Sequence, residues 1–244
     1  DADEAAEGGA TGEGSGRDTP SGRDRTYGRE YPSSRDYPAD TKAAEGPETE
    51  RGVGTLYVVL DDVGYHTQNL KLFLQLPIPI TFAVLPKLPD TTVAVELIDS
   101  AGSEYILHQP MEPIGKEDPG PGALTTKMSK RKVREVLSEN LKDLPNAHGI
   151  NNHMGSKLTS DPKLMDEVLA LLGERKLFFL DSRTTADTVA EDVAREHRVA
   201  FTERNVFLDN ESTEPYILDA LEEGTRIADE KGYAVLIGHV WSRE

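Results

Sequence analysis

From Thr55 onward, short apolar runs rich in β-branched residues alternate with stretches whose apolar positions recur at helical spacing. The runs predict strands over Leu56–Leu60, Ile80–Leu85, Tyr105–Leu107, Gly149–Asn152, Leu177–Leu180, Val206–Leu208 and Ala234–Gly238. The intervening stretches predict helices over Gln68–Gln75, Thr92–Ala101, Lys130–Leu141, Pro162–Arg175, Ala186–Arg195 and Pro215–Lys231. Strands that alternate with helices in this way form βα units around a parallel sheet. Boundary chemistry agrees: Ser129 can cap the third helix, and Asp161 before Pro162 supplies a cap followed by a first-turn proline.

The first 52 residues differ in kind, being dominated by Gly, Ser, Pro and charged residues, with almost no Leu, Ile, Val or Phe. Such a segment cannot offset its ordering entropy by burying apolar surface, so residues 1–52 are expected to form a disordered, acidic tail or linker, and residues 53–244 the folded domain. Within the tail, Arg29-Glu30-Tyr31-Pro32 is echoed by Arg35-Asp36-Tyr37-Pro38, a short repeat whose plain reading is a solvated linker. The chain opens at Asp1 without an initiator Met or a signal pattern, as expected of a processed or excised fragment.

Charge and composition narrow the chemistry. A formal net charge of -17 opposes binding to a phosphate backbone, so nucleic acid is not an expected partner; a neutral or amino sugar, read by local hydrogen bonds and stacking, remains compatible. With no cysteine, disulfides, thiolate metal sites and cysteine nucleophiles are excluded, and any metal must sit on His, Asp or Glu. No apolar stretch is long enough for a membrane span.

Nearly every apolar run ends in polar residues: Asp61-Asp62, His108, Asn151-Asn152-His153, Asp181-Ser182-Arg183, Asp209-Asn210 and Gly238-His239. In parallel α/β sheets the carboxyl ends of the strands share one face, where active sites assemble. One Asp or Asn at such a junction is readily a helix cap. Acids, amides and histidines recurring at the same topological place argue for a site. Asp61 and Asp62 are costly neighbours: either a divalent cation offsets their repulsion, or one carboxyl has a raised pKa and acts as a base. Strand alternation would direct one to a metal and the other to a water. Asp62, His108 and His153 together make an oxygen and two-nitrogen set suited to zinc or a similar divalent ion.

Six segments, in order, resemble the divergent polysaccharide deacetylases: Leu60-Asp61-Asp62-Val63-Gly64, His108-Gln109-Pro110-Met111-Glu112-Pro113, Asp118-Pro119-Gly120-Pro121-Gly122-Ala123-Leu124, Asn151-Asn152-His153-Met154-Gly155-Ser156, Phe179-Leu180-Asp181-Ser182-Arg183-Thr184-Thr185 and Gly238-His239. The resemblance implies an α/β fold, a distorted (β/α)7-type barrel, here incomplete at its C-terminal end because the chain stops at Glu244 where the family usually continues. It also implies an exported protein of the periplasm or cell envelope that acts on a polysaccharide or peptidoglycan-like glycan. Asp61 maps to the general base, Asp62 to a metal ligand, and His239 to the acid for the leaving amine. Relatives carry a second metal histidine four residues after the first, whereas Glu112 stands there in this chain. His153 is therefore expected to complete the ligand set.

The expected catalytic group is Asp61, Asp181 and His239, with Asp181 orienting His239 or Arg183. Glu112, Asn151, Asn152, Arg183 and Trp241 are expected to bind substrate, with an internal salt bridge the competing role for Arg183 and packing for Trp241. The expected reaction removes N- or O-acetyl groups by metal-assisted hydrolysis, zinc being the first choice of cofactor. A non-catalytic carbohydrate-binding or envelope-assembly protein is the alternative, favoured by Glu112. An aspartate-nucleophile phosphatase is disfavoured, because no basic and hydroxyl set to hold phosphate lies near Asp61.

Overall fold

A computed structural model describes residues 54–240. The proposed tail and Trp241 lie outside these residues. The elements run β1 (Thr55–Val63), α1 (Gln68–Phe73), β2 (Thr81–Val84), α2 (Thr91–Ala101), β3 (Glu104–Met111), α3 (Lys130–Asn140), β4 (Gly149–Met154), α4 (Pro162–Arg175), β5 (Phe178–Asp181), α5 (Ala190–His197), β6 (Phe201–Glu203), β7 (Val206–Phe207), α6 (Glu214–Lys231) and β8 (Tyr233–His239). All strand pairs are parallel, in the order β6-β5-β4-β3-β2-β1-β8-β7.

The eight-stranded sheet curls into an open, distorted barrel of the kind that the family resemblance implied, with one strand more than the seven expected. Its two ends, β6 and β7, are consecutive in the chain and separated only by Arg204 and Asn205. Arg204 N donates to Asp181 O at 2.9 Å and Asn205 N to Val235 O at 2.8 Å, so this dipeptide ties the β5 side to the β8 side. Strand β6 was not expected, since Phe201-Thr202-Glu203 is too short and polar to read as an apolar run. Helix α5 starts at Ala190 and not at Ala186, because the Thr188 hydroxyl donates to Asp181 Oδ2 at 2.7 Å and holds the preceding turn out of the helix.

Strand alternation divides the apolar residues into layers. Leu60, Phe82, Val84, Tyr105, Leu107, Ile150 and Phe179 point outward into the large core shared with the helices. Val59, Ala83, Ile106, Leu180, Val235 and Ile237 form a separate inner cluster. Two residues further along the same inner rows come Asp61 after Val59, His108 after Ile106 and His239 after Ile237. Thus one period-two pattern builds an apolar floor and then a polar rim at the carboxyl ends of the strands. Gly149 belongs to this floor, because a Cβ there would lie 2.7 Å from the Phe178 ring.

Helix α6 closes over β8 and the start of β1, with Ala220, Ala228 and Leu236 in the contact. Gly54 permits that approach: a Cβ there would meet the Ala228 carbonyl carbon and oxygen at 2.3 Å. Backbone atoms cannot rotate away as a side chain can. Gly54→Ala is therefore expected to cost about 1–3 kcal/mol, the usual range for overpacking, read as a lower urea midpoint at unchanged slope. An unchanged midpoint would show that α6 is not held against β1 by this contact.

Candidate functional site

Strand β1 delivers both acids to one place, which simple alternation does not allow. Its register shifts between Leu60 and Val63, and Asp62 adopts a left-handed φ of 63°. This bulge turns Asp62 back toward the side that Asp61 already faces. Their solvent exposures are 3% and 6%. The expected division of the pair by opposite strand faces is thus replaced by a shared site. Gly64, at φ 131°, follows the bulge and makes the sharp turn inferred from the sequence.

Pairing then brings in the histidines. His108 on β3 lies beside Asn151 on β4, His153 lies beside Pro110, and Asp61 on β1 lies beside His239 on β8. Asp62 Oδ1 is 3.2 Å from His108 Nε2 and 3.0 Å from His153 Nδ1, and the two imidazole nitrogens are 3.1 Å apart. A tetrahedral ion with ligand bonds of about 2.0–2.1 Å holds its donors about 3.3 Å apart. One carboxylate oxygen and two imidazole nitrogens at these separations fit such an ion, and the sequence expectation of Asp62, His108 and His153 as one grouping agrees with the structure.

The two carboxylates are electrostatically unlike. Burial pushes the Asp61 carboxyl above its usual range, against the lowering effects of His108 and the Asn151 hydrogen bond. Burial acts the same way on Asp62, but hydrogen bonds from His108 and His153 outweigh it and hold that carboxyl well below the usual range. Asp62 therefore stays ionised as a ligand must, while Asp61 has the raised basicity useful in a proton acceptor.

Opposite them, His239 Nδ1 lies 3.0 Å from Asp209 Oδ1, and His239 N donates to Asp209 Oδ2 at 2.8 Å. Burial would lower the His239 pKa, but the Asp209 hydrogen bond and charge, helped by Asp62 and Asp61, raise it. The Phe207 ring stacks on His239 with centroids 6.2 Å apart, and the Arg204 guanidinium sits 3.8 Å from the Phe207 centroid. Arg204 also donates to Ser182 O at 2.9 Å and Arg183 O at 3.2 Å.

Several expected residues stand elsewhere than the sequence suggested. Asp181 accepts from Arg183 N and Thr188 Oγ1, both at 2.7 Å, and so shapes the β5–α5 turn; the carboxylate beside His239 belongs to Asp209. The Arg183 side chain reaches Glu203 at 3.4 Å, the salt-bridge alternative. Asn151 and Asn152 are buried, Asn152 accepting from Ser182 N at 2.9 Å and donating to Met154 O at 2.7 Å. Glu112 is turned into a clamp: Oε2 accepts from Thr126 N at 2.5 Å and Thr126 Oγ1 at 2.7 Å, and Oε1 pairs with Lys157 Nζ at 2.6 Å. Its carboxylate is thereby engaged with two loops and not with the Asp–His–His grouping.

Asp209 and Arg204 were missed as site residues. Asp209 does end an apolar run, which was its only signal; Arg204 had none, because it lies in the link that follows β6, a strand that was not foreseen.

With this geometry in place, comparison with known proteins defines the class. The chain matches the family described as divergent polysaccharide deacetylase over residues 58–244. It belongs to that family. An uncharacterized protein of Haemophilus influenzae is 34% identical over 184 residues, covering 75% of this chain and 66% of that protein. The uncharacterized protein YibQ of Escherichia coli is 34% identical over 186 residues, covering 76% and 58%. The chain thus spans less than two thirds of the length of these relatives. A crystal structure of an uncharacterized protein from Agrobacterium tumefaciens superimposes with a TM-score of 0.72 at 22% identity, covering 80% of each chain, and shares the fold. Among the described residues, no helix is long and apolar enough to cross a membrane.

The Glu112 clamp carries a pH signature. Hydrogen bonding from Lys157 and Thr126 holds the Glu112 pKa at about 2, against an ordinary value of 4.5. A depressed carboxylate stabilises the fold above its unfolded pKa, and that contribution disappears as pH falls through the folded value. Glu112→Gln should lower stability at pH 6 by under about 1 kcal/mol, since Lys157 is partly solvated. Denaturation midpoints measured downward from about pH 5 should converge with those of the unaltered protein as pH approaches about 2; a gap independent of pH would refute the clamp.

Proposed function

We propose that this protein hydrolyses acetyl groups from a cell-envelope polysaccharide or peptidoglycan-like glycan, in the periplasm or cell envelope. The observation that carries this reading is the convergence of three unlike groups on one rim: a raised carboxyl at Asp61, the Asp62–His108–His153 grouping, and His239 backed by Asp209. Family membership supports a deacetylase, and the mixed N and O donors favour zinc.

A divalent ion held by Asp62, His108 and His153 would supply Lewis-acid polarisation of the acetyl carbonyl and the attacking water. Asp61 takes the proton from that water as its oxygen bonds to the carbonyl carbon. Protonated His239 then donates to the leaving nitrogen or oxygen as its bond to that carbon breaks, releasing acetate. Asp209 keeps the His239 ring turned toward the rim and stabilises its protonated form. The inner apolar layer lies beneath these groups, so the reacting atoms have water on one side only.

Acetate release from acetylated glucosamine polymers and from peptidoglycan, with elemental analysis of the same preparation, tests the reading. The unaltered protein should bind about one zinc per chain, and Asp61→Asn should lower kcat by about 10²–10⁴-fold with the metal retained. His239→Ala should lose activity to a similar degree. Bound metal without acetate release on any acetylated glycan would favour the carbohydrate-binding alternative; no metal and no effect of Asp61→Asn would sink the catalytic reading.

A further inference from the structure

Asn151 sits at the centre of β4 with no solvent exposure. Its side chain joins two groups with different proposed roles. Asn151 Nδ2 donates to Asp61 Oδ1 at 2.8 Å, with a longer contact of 3.3 Å to Ser182 Oγ. Asn151 Oδ1 lies 2.8 Å from His108 Nδ1.

Chemistry fixes the direction of each contact. An ionised carboxylate can only accept, so the NH₂ end of the amide must face Asp61. The carbonyl end then faces His108 and can only accept, so His108 Nδ1 must carry a proton. Without an ion, Nε2 carries a proton and donates to Asp62; a divalent ion would displace that proton, and with Nδ1–H held by the amide the lone pair it meets is on Nε2. That is the nitrogen 3.2 Å from Asp62 Oδ1 and 3.1 Å from His153 Nδ1.

We propose that Asn151 is a positioning residue that couples the base to the metal site: one buried amide fixes the His108 tautomer and the orientation of Asp61. This rests on the reading that Asp62, His108 and His153 hold a divalent ion. It replaces the substrate-binding role that the sequence suggested for Asn151, and it distinguishes the two Asp61 oxygens. Oδ1 is held by the amide, whereas Oδ2, 3.6 Å from His108 Nε2, faces the metal grouping and is the atom that receives the proton.

The coupling predicts that its two halves separate. Asn151→Asp keeps an acceptor for His108 Nδ1 but removes the donor to Asp61 and sets a second carboxylate beside it. Cobalt(II), titrated by its visible absorption, should bind Asn151→Asp at least as tightly as the unaltered protein, while kcat for acetate release falls about 30-fold or more. Asn151→Ala removes both contacts and should lose about 10–100-fold in cobalt affinity, the usual effect of deleting a partner of a ligating histidine, as well as activity. Equal cobalt affinity for Asn151→Ala and the unaltered protein would overturn the proposal, as would Asn151→Asp binding as weakly as Asn151→Ala.

A measurement without substitution guards against misfolding of the variants. Nitrogen-15 histidine spectra of the unaltered protein should show His108 protonated at Nδ1, with Nε2 shifted on zinc addition. Zinc-dependent shifts at Nδ1 would overturn the Asn151 assignment and leave the proposed function intact. Failure of the unaltered protein to bind zinc or cobalt at all would overturn the functional reading and this coupling together.

Discussion

Two carboxylates on consecutive residues, both nearly excluded from water, create the electrostatic problem around which this molecule is arranged. At a separation of about 4 Å and an effective dielectric near 20, two like charges repel by about 4 kcal/mol. A fold of ordinary stability cannot leave that uncompensated. The surroundings answer by making the acids unlike, with imidazole donors around Asp62 and an amide on Asp61. The β1 bulge is what allows one site to use both acids, since regular alternation would have turned Asp62 into the outer core.

Beneath the acids, the inner rows explain why so much of the fold and site could be read from the sequence. Val59 leads to Asp61, Ile106 to His108 and Ile237 to His239, so each apolar run announces a strand and its end announces a rim residue. Family motifs completed the set with His153. Residues that escaped notice did so for physical reasons. Arg204 follows a strand too short and polar to register, and its role depends on the two-residue link that joins β6 to β7 at the seam. Asp209 is one acid among many in an acidic chain, and its pairing with His239 is a long-range fact. Which face Asp62 uses, and that Asp181 serves a turn, depend on backbone angles and hydroxyl contacts that residue spacing does not encode.

Glu112 shows how a resemblance can mark the right position and leave its role open. Its place in the motif invited a metal-binding or substrate-binding interpretation, but its two oxygens join the segment after β3 to Thr126 and Lys157. The neighbouring amides do similar work one layer deeper. Asn140 Nδ2 donates to Gln109 Oε1 and to Gly122 O, both at 2.8 Å, which anchors the Pro119-Gly120-Pro121-Gly122 loop to the core. The loop is shaped by buried polar contacts at its base as much as by its prolines.

A third ligand on β4, as proposed for His153, in place of one on the β3 loop would also change what an ion reports about the protein. Asp62, His108 and His153 come from three separate strands, so their meeting requires the bulge in β1 and the registers of β1 through β4 to be correct at once. A slip of one residue between β3 and β4 would point His153 into the helix layer while leaving every backbone hydrogen bond replaceable. Metal affinity at the proposed site would therefore be a readout of strand alignment, and an ion bound there would select the native register over its shifted competitors by its full binding free energy.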